Sequence, residues 1–96
     1  MHFVIYCLDD PSKPDLRAAT RDAHLAYVDQ VGAVIKVAGP MTDAAGTSIG
    51  SMFIVEADDQ ATVEALAARD PYAEAGVFSS VDIRPFKWLI TDGKRV

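Results

Sequence analysis

The sequence is short of several residue types, and each shortage argues against a class of protein. Of its 96 residues, 9 are basic and 14 are acidic, which gives a formal net charge of −5. Because nucleic-acid binding relies on clustered Lys and Arg to neutralise phosphates, we expect no nucleic-acid partner. A single cysteine, Cys7, allows no internal disulfide. With only His2 and His24 beside it, we expect no metal site.

Long hydrophobic runs are also missing. No stretch approaches the roughly 20 apolar residues of a membrane span, so we expect no membrane partner. The opening segment MHFVIYCLDD lacks the basic region and cleavage site of a secretory signal. Together with the lone cysteine, this favours a cytoplasmic protein. The length allows one domain over residues 1–96, with a loose polar tail at 91–96.

Hydrophobic periodicity predicts an α+β protein with the element order β-α-β-β-α-β. The predicted strands cover 2–8, 34–38, 51–57 and 77–90, and the predicted helices cover 15–31 and 59–69. One further helical turn is expected at 72–75, before a glycine. This order is the split β-α-β plan, in which an antiparallel sheet carries two helices on one face.

The last predicted strand changes its apolar parity at Pro85. Before the proline the apolar side chains fall on odd positions, including Val81 and Ile83, and after it on even positions, including Phe86 and Trp88. A period-2 pattern that flips at a proline predicts a bulge there, with the two halves of the strand burying opposite faces.

Helices on one face leave the second face of the sheet bare. The first and third strands are apolar on both sides. A domain of this length buries only roughly 60–65% of the surface that its unfolded chain exposes, so little apolar surface can be left uncovered. A second copy of the same sheet is the simplest cover, and we predict a twofold homodimer.

The first helix carries the clearest candidate for chemistry. Histidine is the side chain best suited to proton transfer near neutral pH. Arg17, Arg21, His24 and Val28 follow one another at spacings of four, three and four, and so share one narrow helix face. His24 is therefore expected at the boundary between core and solvent, where a pocket would open. An ordinary surface histidine is the alternative.

A second candidate is Asp70, which precedes Pro71. Aspartate before proline at a helix start is a good N-cap, and this explains Asp70 without any function. A carboxylate can also orient an imidazole and stabilise its protonated form. The spacing does not show that Asp70 reaches His24.

The loop between the second and third strands is flanked by small and polar residues. Gly39 and Pro40 precede it, and Ser51 follows it and offers a hydrogen bond to a ligand. Ordinary hairpin punctuation explains the same residues. Tyr72 is interpreted first as a core or interface aromatic. Cys7, inside an apolar strand, is expected to be an inert buried thiol.

Four short motifs, in this order, resemble the YCII-related (YciI-like) family of small bacterial proteins. They are RDAHL at 21–25, AGPM at 38–41, GSMFIVEA at 50–57 and RDPYAEAG at 69–76. The resemblance implies a ferredoxin-like fold whose sheets pair face to face in a homodimer, a dimeric α+β barrel. It also implies an active site built on a His-Asp pair, which falls here on His24 and Asp70. A characterised relative acts as a dehydrochlorinase on a chlorinated hydroxyquinol.

Three interpretations of function remain open. The first is a small cofactor-independent enzyme, a lyase or isomerase of dehydrochlorinase-like kind, acting on a small aromatic or anionic substrate. His24 would be its general acid/base, Asp70 would orient the imidazole, and Arg21 would hold a substrate anion. The other substrate-binding residues would be Gly39, Pro40, Ser51 and Tyr72.

The remaining two interpretations involve different functions. A non-catalytic module would use the same pocket to bind a small molecule or a partner chain. Other dimeric α+β barrels, such as cofactor-free monooxygenases or muconolactone-isomerase-like proteins, would share the fold, and fold alone says little about the reaction. The run DPY at 70–72 fits the YCII-like pattern better.

Overall fold

A computed structural model describes residues 1–96. Its main sheet has four strands, and three helices accompany it. The strands are β1 (His2–Asp9), β2 (Ile35–Thr42), β3 (Ser48–Glu56) and β4 (Phe78–Phe86). The helices are α1 (Leu16–Val31), α2 (Gln60–Ala68) and the short α3 (Pro71–Ala75), and a 3-10 turn, Gly32–Val34, joins α1 to β2. The strands form one antiparallel sheet in the order β2-β3-β1-β4. This confirms the predicted ferredoxin-like α+β fold.

Alternate residues of the two central strands form the core. Phe3 and Ile5 of β1 pair in register with Val55 and Phe53 of β3. All four are at most 5% exposed, and Val63 of α2 packs on the same cluster. Successive strand side chains point to opposite faces, so this set defines the helix-covered face of the sheet. Full burial of side chains of this size contributes roughly 1.5–3 kcal/mol each.

The long helix α1 covers the sheet incompletely. None of its residues is fully buried. Its apolar residues Tyr27 and Val28 are partly buried, and the Tyr27 hydroxyl donates a hydrogen bond of 2.7 Å to the Leu66 carbonyl oxygen of α2. Incomplete coverage leaves room for a cleft between α1 and the sheet. No helix of the structure has the length and the apolar run needed to cross a membrane.

Asp70 begins α3 as its N-cap, as the sequence indicates. Its Oδ1 accepts a hydrogen bond of 2.9 Å from the backbone N–H of Tyr72. Pro71 occupies the first position of the helix, where a missing N–H costs nothing. Gly76 ends the helix with φ of 84°, a left-handed conformation that glycine adopts without strain. The cap fixes the position of the Asp70 carboxylate.

The hairpin between β2 and β3 is longer than predicted. β2 continues through Gly39 and Pro40 to Thr42, and β3 already begins at Ser48, so the loop shrinks to residues 43–47. Pro40 pairs with Ser51. Because β2 lies at the edge of the sheet, it tolerates a proline that would disrupt a central strand.

The bulge predicted at Pro85 is wrong. Pro85 lies opposite Phe3 in regular register, and the irregularity between β1 and β4 falls instead between Leu8 and Asp9. β4 is an edge strand, so the proline needs no bulge. Phe86, the last residue of β4, lies on the bare face, and the other even-numbered apolar residues, Trp88 and Ile90, lie beyond the strand. Beyond it, β5 (Ile90–Thr91) and β6 (Lys94–Arg95) pair in a separate small hairpin that includes part of the tail.

The second face of the sheet carries apolar side chains with no helix over them. Tyr6 and Leu8 of β1, Val37 of β2 and Phe86 of β4 are between 38% and 45% exposed. Tyr6 and Leu8 are even positions of β1, Phe86 pairs with another even position of β1, and Val37 is aligned with the even positions through β3. All four therefore lie on the face of the sheet away from the core residues. The predicted asymmetry of the sheet, with one covered and one bare face, is therefore present.

Candidate active site

A cleft of about 480 Å³ opens between α1 and the sheet. Its lining includes nearly all the residues that the sequence singled out. These are Arg21, His24, Gly39, Pro40, Ser51 and Tyr72. Asp70 does not line the cleft and lies behind His24. The fold thus gathers residues from α1, β2, β3 and α3 around one space, while their roles remain predictions.

His24 and Asp70 are joined by a short hydrogen bond. His24 Nδ1 lies 2.8 Å from Asp70 Oδ1. Asp70 is 4% exposed and the His24 side chain 12%. An ionised carboxylate can only accept, so the ring N–H donates in a charge-assisted bond. The same Oδ1 also caps α3, so Asp70 is a helix cap and a hydrogen-bond partner of His24 at once.

This bond determines which ring nitrogen faces the cleft. With the proton on Nδ1, the neutral His24 ring carries its lone pair on Nε2. Nε2 makes no hydrogen bond within the protein, and no buried polar side-chain atom lacks a partner, so Nε2 is open to solvent. The arrangement can take a proton from a molecule bound in the cleft, or return one to it.

Tyr72 supports the imidazole ring. The two rings are parallel within 10°, with 4.0 Å between their centroids, and Phe53 makes an edge contact with His24 at 6.2 Å. Tyr72 is 3% exposed, which agrees with its interpretation as a core aromatic. α3 therefore supplies both the carboxylate that pairs with His24 and the ring that stacks on it.

Arg17 also lies at the site. Helical spacing places it on the same helix face as His24 but indicates no role for it. Its Nε and Nη2 donate to the two carboxylate oxygens of Asp9, at 2.8 and 2.7 Å. Nη2 also donates to Ser51 Oγ at 2.9 Å, and the guanidinium lies 4.7 Å from the Tyr72 ring centroid. The hydrogen bonds with Asp9 raise the pKa of Arg17 above its ordinary value. No sequence pattern indicated Asp9, which arrives from the end of β1.

Arg21 differs from Arg17 in its surroundings. It is exposed at the cleft and takes part in none of the ion pairs of the structure. Asp9 neutralises Arg17, whereas the charge of Arg21 is left without a carboxylate partner. This guanidinium is thus available for an anionic group in the cleft.

Cys7 lies in the core close to this site but takes no part in its chemistry. Burial, followed by the nearby charge of Asp70, raises the pKa of the Cys7 thiol to about 12. The thiol is 1% exposed and stays protonated near neutral pH, so it is neither a nucleophile nor a metal ligand there. No group of three or more His, Cys, Asp or Glu side chains comes together to hold a metal ion.

The fold and the paired His24–Asp70 cleft define a small ferredoxin-like α+β protein with a candidate acid–base site. The chain belongs to the YCII-related family, whose domain model matches residues 1–87. It is 36% identical to protein YciI of Escherichia coli O6:H1 over 97 aligned residues, which cover 91% of this chain and 97% of that one. It is 35% identical to an uncharacterised protein of Haemophilus influenzae over 96 residues, with the same coverage.

Two solved structures extend the comparison. One is 5-chloro-2-hydroxyhydroquinone dehydrochlorinase (TftG) of Burkholderia phenoliruptrix, in complex with 2,5-dihydroxybenzoquinone, with a TM-score of 0.81 and 32% identity. The match covers 91% of this chain and 94% of that one. The other is a proposed antibiotic biosynthesis monooxygenase from Bacteroides thetaiotaomicron, with a TM-score of 0.58 and 13% identity over 100% of this chain and 95% of that one. At that identity the second likeness shows the fold alone.

Proposed function

We propose that the cleft is the active site of a small enzyme that moves a proton on a small aromatic substrate, as a lyase or isomerase does. His24 is the general acid/base through Nε2, and Asp70 orients the ring and stabilises its protonated form. The observation that supports this most is the 2.8 Å His24–Asp70 bond, which leaves the second ring nitrogen open to a cleft of about 480 Å³. The reaction uses no cofactor.

The similarity to a dehydrochlorinase suggests one form of this chemistry. Elimination of HCl removes a proton, uses the freed electron pair to form a new double bond, and releases chloride with the electrons of the C–Cl bond. The step needs one base and neither an oxidant nor a reductant. His24 Nε2 is that base, and Arg21 holds an anionic oxygen of the substrate. Gly39, Pro40, Ser51 and Tyr72 shape the pocket.

A turnover assay tests this proposal. The protein is incubated with 5-chloro-2-hydroxyhydroquinone and with other halogenated and hydroxylated aromatics, and chloride release and absorbance are followed. We expect turnover of at least one compound and a loss of roughly 10²–10⁴-fold in His24→Gln. Arg95→Gln is the matched control, because Arg95 is an exposed residue of β6 and lies outside the lining of the cleft. Turnover that is unchanged in His24→Gln would overturn the proposal, and binding without any product would favour a non-catalytic binding module.

The bare face of the sheet supports a homodimer. Its exposed apolar side chains include Tyr6, Val37 and Phe86, and a second copy of the same face would cover them. A twofold pairing of this kind is self-complementary, because every contact between two residues occurs twice, once in each direction across the axis.

A further inference from the structure

We propose that Arg17 is a positioning residue that holds the Ser51 hydroxyl as a hydrogen-bond donor to an oxygen atom of the bound substrate. Arg17 acts through Ser51 and does not touch the substrate itself. The inference deepens the proposed function and rests on it for the identity of the reaction. It defines the substrate class as a compound with a carbonyl, enolate or phenolate oxygen near the position that exchanges a proton with His24.

The roles of donor and acceptor follow from the chemistry of the two groups. A guanidinium has five N–H donors and no acceptor. The 2.9 Å contact between Arg17 Nη2 and Ser51 Oγ therefore occupies a lone pair of the serine. Ser51 donates its own O–H to no acceptor in the protein. Since Ser51 lines the cleft, its hydroxyl proton is left for a ligand.

Arg17 also lines the cleft, but its Nε and Nη2 groups are already occupied by Asp9 and Ser51. Both oxygens of Asp9 accept from it, at 2.8 and 2.7 Å, and the side chains of this pair are only 14% and 16% exposed. The Tyr72 ring lies against the guanidinium, 4.7 Å from centroid to carbon. The charge of Arg17 is already matched by Asp9, which leaves Ser51 as the group through which Arg17 can act on the cleft.

The placement of Ser51 suits this task. It lies in the central strand β3, opposite Cys7 of β1 and Pro40 of β2, and is 3% exposed at the floor of the cleft. A hydroxyl that accepts from a cationic donor has its own O–H polarised and donates more strongly. A donor fixed in advance of the reaction stabilises negative charge that develops on a substrate oxygen when a proton is removed.

An experiment without ligand tests the arrangement. In Ser51→Cys, the thiol stands where the hydroxyl stood, and a guanidinium that donates to sulfur lowers the pKa of a thiol. The rate of alkylation by iodoacetamide is measured against pH in Ser51→Cys and in the same variant with Arg17→Met and Asp9→Asn, which removes both charges of the pair. We expect the midpoint of the rate profile to rise by about one pH unit when the pair is removed. All variants carry Cys7→Ala, because Cys7 lies directly opposite position 51 in the β1–β3 pair and would otherwise be placed to form a disulfide with the introduced thiol.

Two comparisons make this result decisive. Arg95→Met in the Ser51→Cys background is the matched control and leaves the profile unchanged, since Arg95 is an exposed arginine of β6 outside the lining of the cleft. Should the variant without the ion pair fail to fold by circular dichroism, Arg17→Lys replaces it, because an ammonium cannot hold Asp9 and the introduced sulfur together. Identical profiles with and without Arg17, or a thiol that iodoacetamide does not reach, would overturn the proposal.

A binding experiment links the arrangement to the substrate. The dissociation constant of 2,5-dihydroxybenzoquinone is measured by absorbance titration for the native protein, Ser51→Ala, Arg17→Lys and the double variant. We expect about tenfold to hundredfold weaker binding in each single variant. The double variant binds no more weakly than Ser51→Ala alone, because Arg17 acts through Ser51. Additive losses would overturn the proposal. Absence of binding to the native protein would count against the proposed substrate class and leave the thiol experiment to decide the Arg17–Ser51 arrangement.

Discussion

Asp70 performs two tasks with one oxygen atom. Oδ1 accepts from the Tyr72 backbone N–H at 2.9 Å and from His24 Nδ1 at 2.8 Å. The cap holds the carboxylate on α3, and the carboxylate in turn sets the orientation of the imidazole on α1. The start of a helix therefore positions the imidazole to which we assign proton transfer, and it is a more rigid support than a loop.

The first prediction concerns the tautomer of His24. In Asp70→Asn, the amide oxygen can still cap α3, but the amide NH₂ can also donate to Nδ1, and the ring is no longer required to keep its proton there. We expect the share of neutral His24 protonated on Nε2 to rise clearly, as measured by the ¹⁵N NMR shifts of the two ring nitrogens. Asp59→Asn is the matched control, since Asp59 caps α2 and contacts no histidine. An unchanged tautomer in Asp70→Asn would show that the carboxylate does not orient the ring.

At this scale the sequence predicts which residues lie around the cleft better than it predicts which of them are in contact. His24 and Asp70 are 46 positions apart, and neither the helical spacing around His24 nor the capping pattern at Asp70 predicts that the two side chains are in contact. Helical spacing also places Arg17 and Arg21 on the His24 face. Only the position of Asp9 at the end of β1 decides that Arg17 is paired and Arg21 is free. That position depends on sheet register, which a local pattern does not specify.

Strands β1 and β3 approach each other closely next to the site, at Gly50. A Cβ atom at this position would meet the Cys7 carbonyl oxygen of β1 and would lie 2.7 Å from Met41 Cε. The side chain of methionine can move aside, but a backbone carbonyl in the middle of a sheet cannot. The glycine thus permits the strand spacing that brings its neighbour Ser51 to the floor of the cleft.

The second prediction tests this close approach. We expect Gly50→Ala to lower the free energy of unfolding by about 1–3 kcal/mol, because the added methyl forces the strands apart. Urea unfolding followed by circular dichroism measures the change. Gly39→Ala is the matched control, since a Cβ there meets nothing within 4 Å, and it should change the stability by about 0.5 kcal/mol or less. Equal effects of the two substitutions would show that the approach at Gly50 is not a constraint.

Elements are predicted from the sequence more reliably than their ends. Period-2 and helical patterns locate the four strands of the sheet, α1 and α2, because an element that is buried on one face repeats apolar residues at its own structural period. The ends depend on partners. β2 runs on through Gly39 and Pro40 because β3 pairs with it there, and β4 stops at Phe86, opposite His2 near the start of β1. The incorrect prediction of a bulge at Pro85 has the same origin, since Trp88 and Ile90, which continue the even apolar pattern, lie beyond the end of β4.

At the scale of the whole molecule, the two faces of the sheet serve different purposes. The covered face builds the core and, where α1 leaves space, the cleft. The bare face exposes Tyr6, Leu8, Val37 and Phe86 on one side of a four-stranded sheet. A stable protein–protein interface buries roughly 1,200–2,000 Å² in total, and two sheets packed face to face provide an area of that order.

The third prediction is that the protein is a dimer through this face. Light scattering at micromolar concentration should give twice the chain mass of 10.3 kDa. Tyr6→Lys should shift the protein to the monomer, because the twofold axis buries two ammonium groups in one interface, at a cost of several kcal/mol. We expect the substitution to be tolerated within one chain, since Tyr6 is 44% exposed there and lies opposite the acidic Asp82. Val34→Lys is the matched control, because Val34 is 38% exposed, close to the 44% of Tyr6, but lies in the 3-10 turn away from this face. A native protein that scatters as a monomer would contradict the dimer and leave the apolar face of the sheet to a different partner. A Tyr6→Lys variant that stays dimeric would place the dimer interface on another surface.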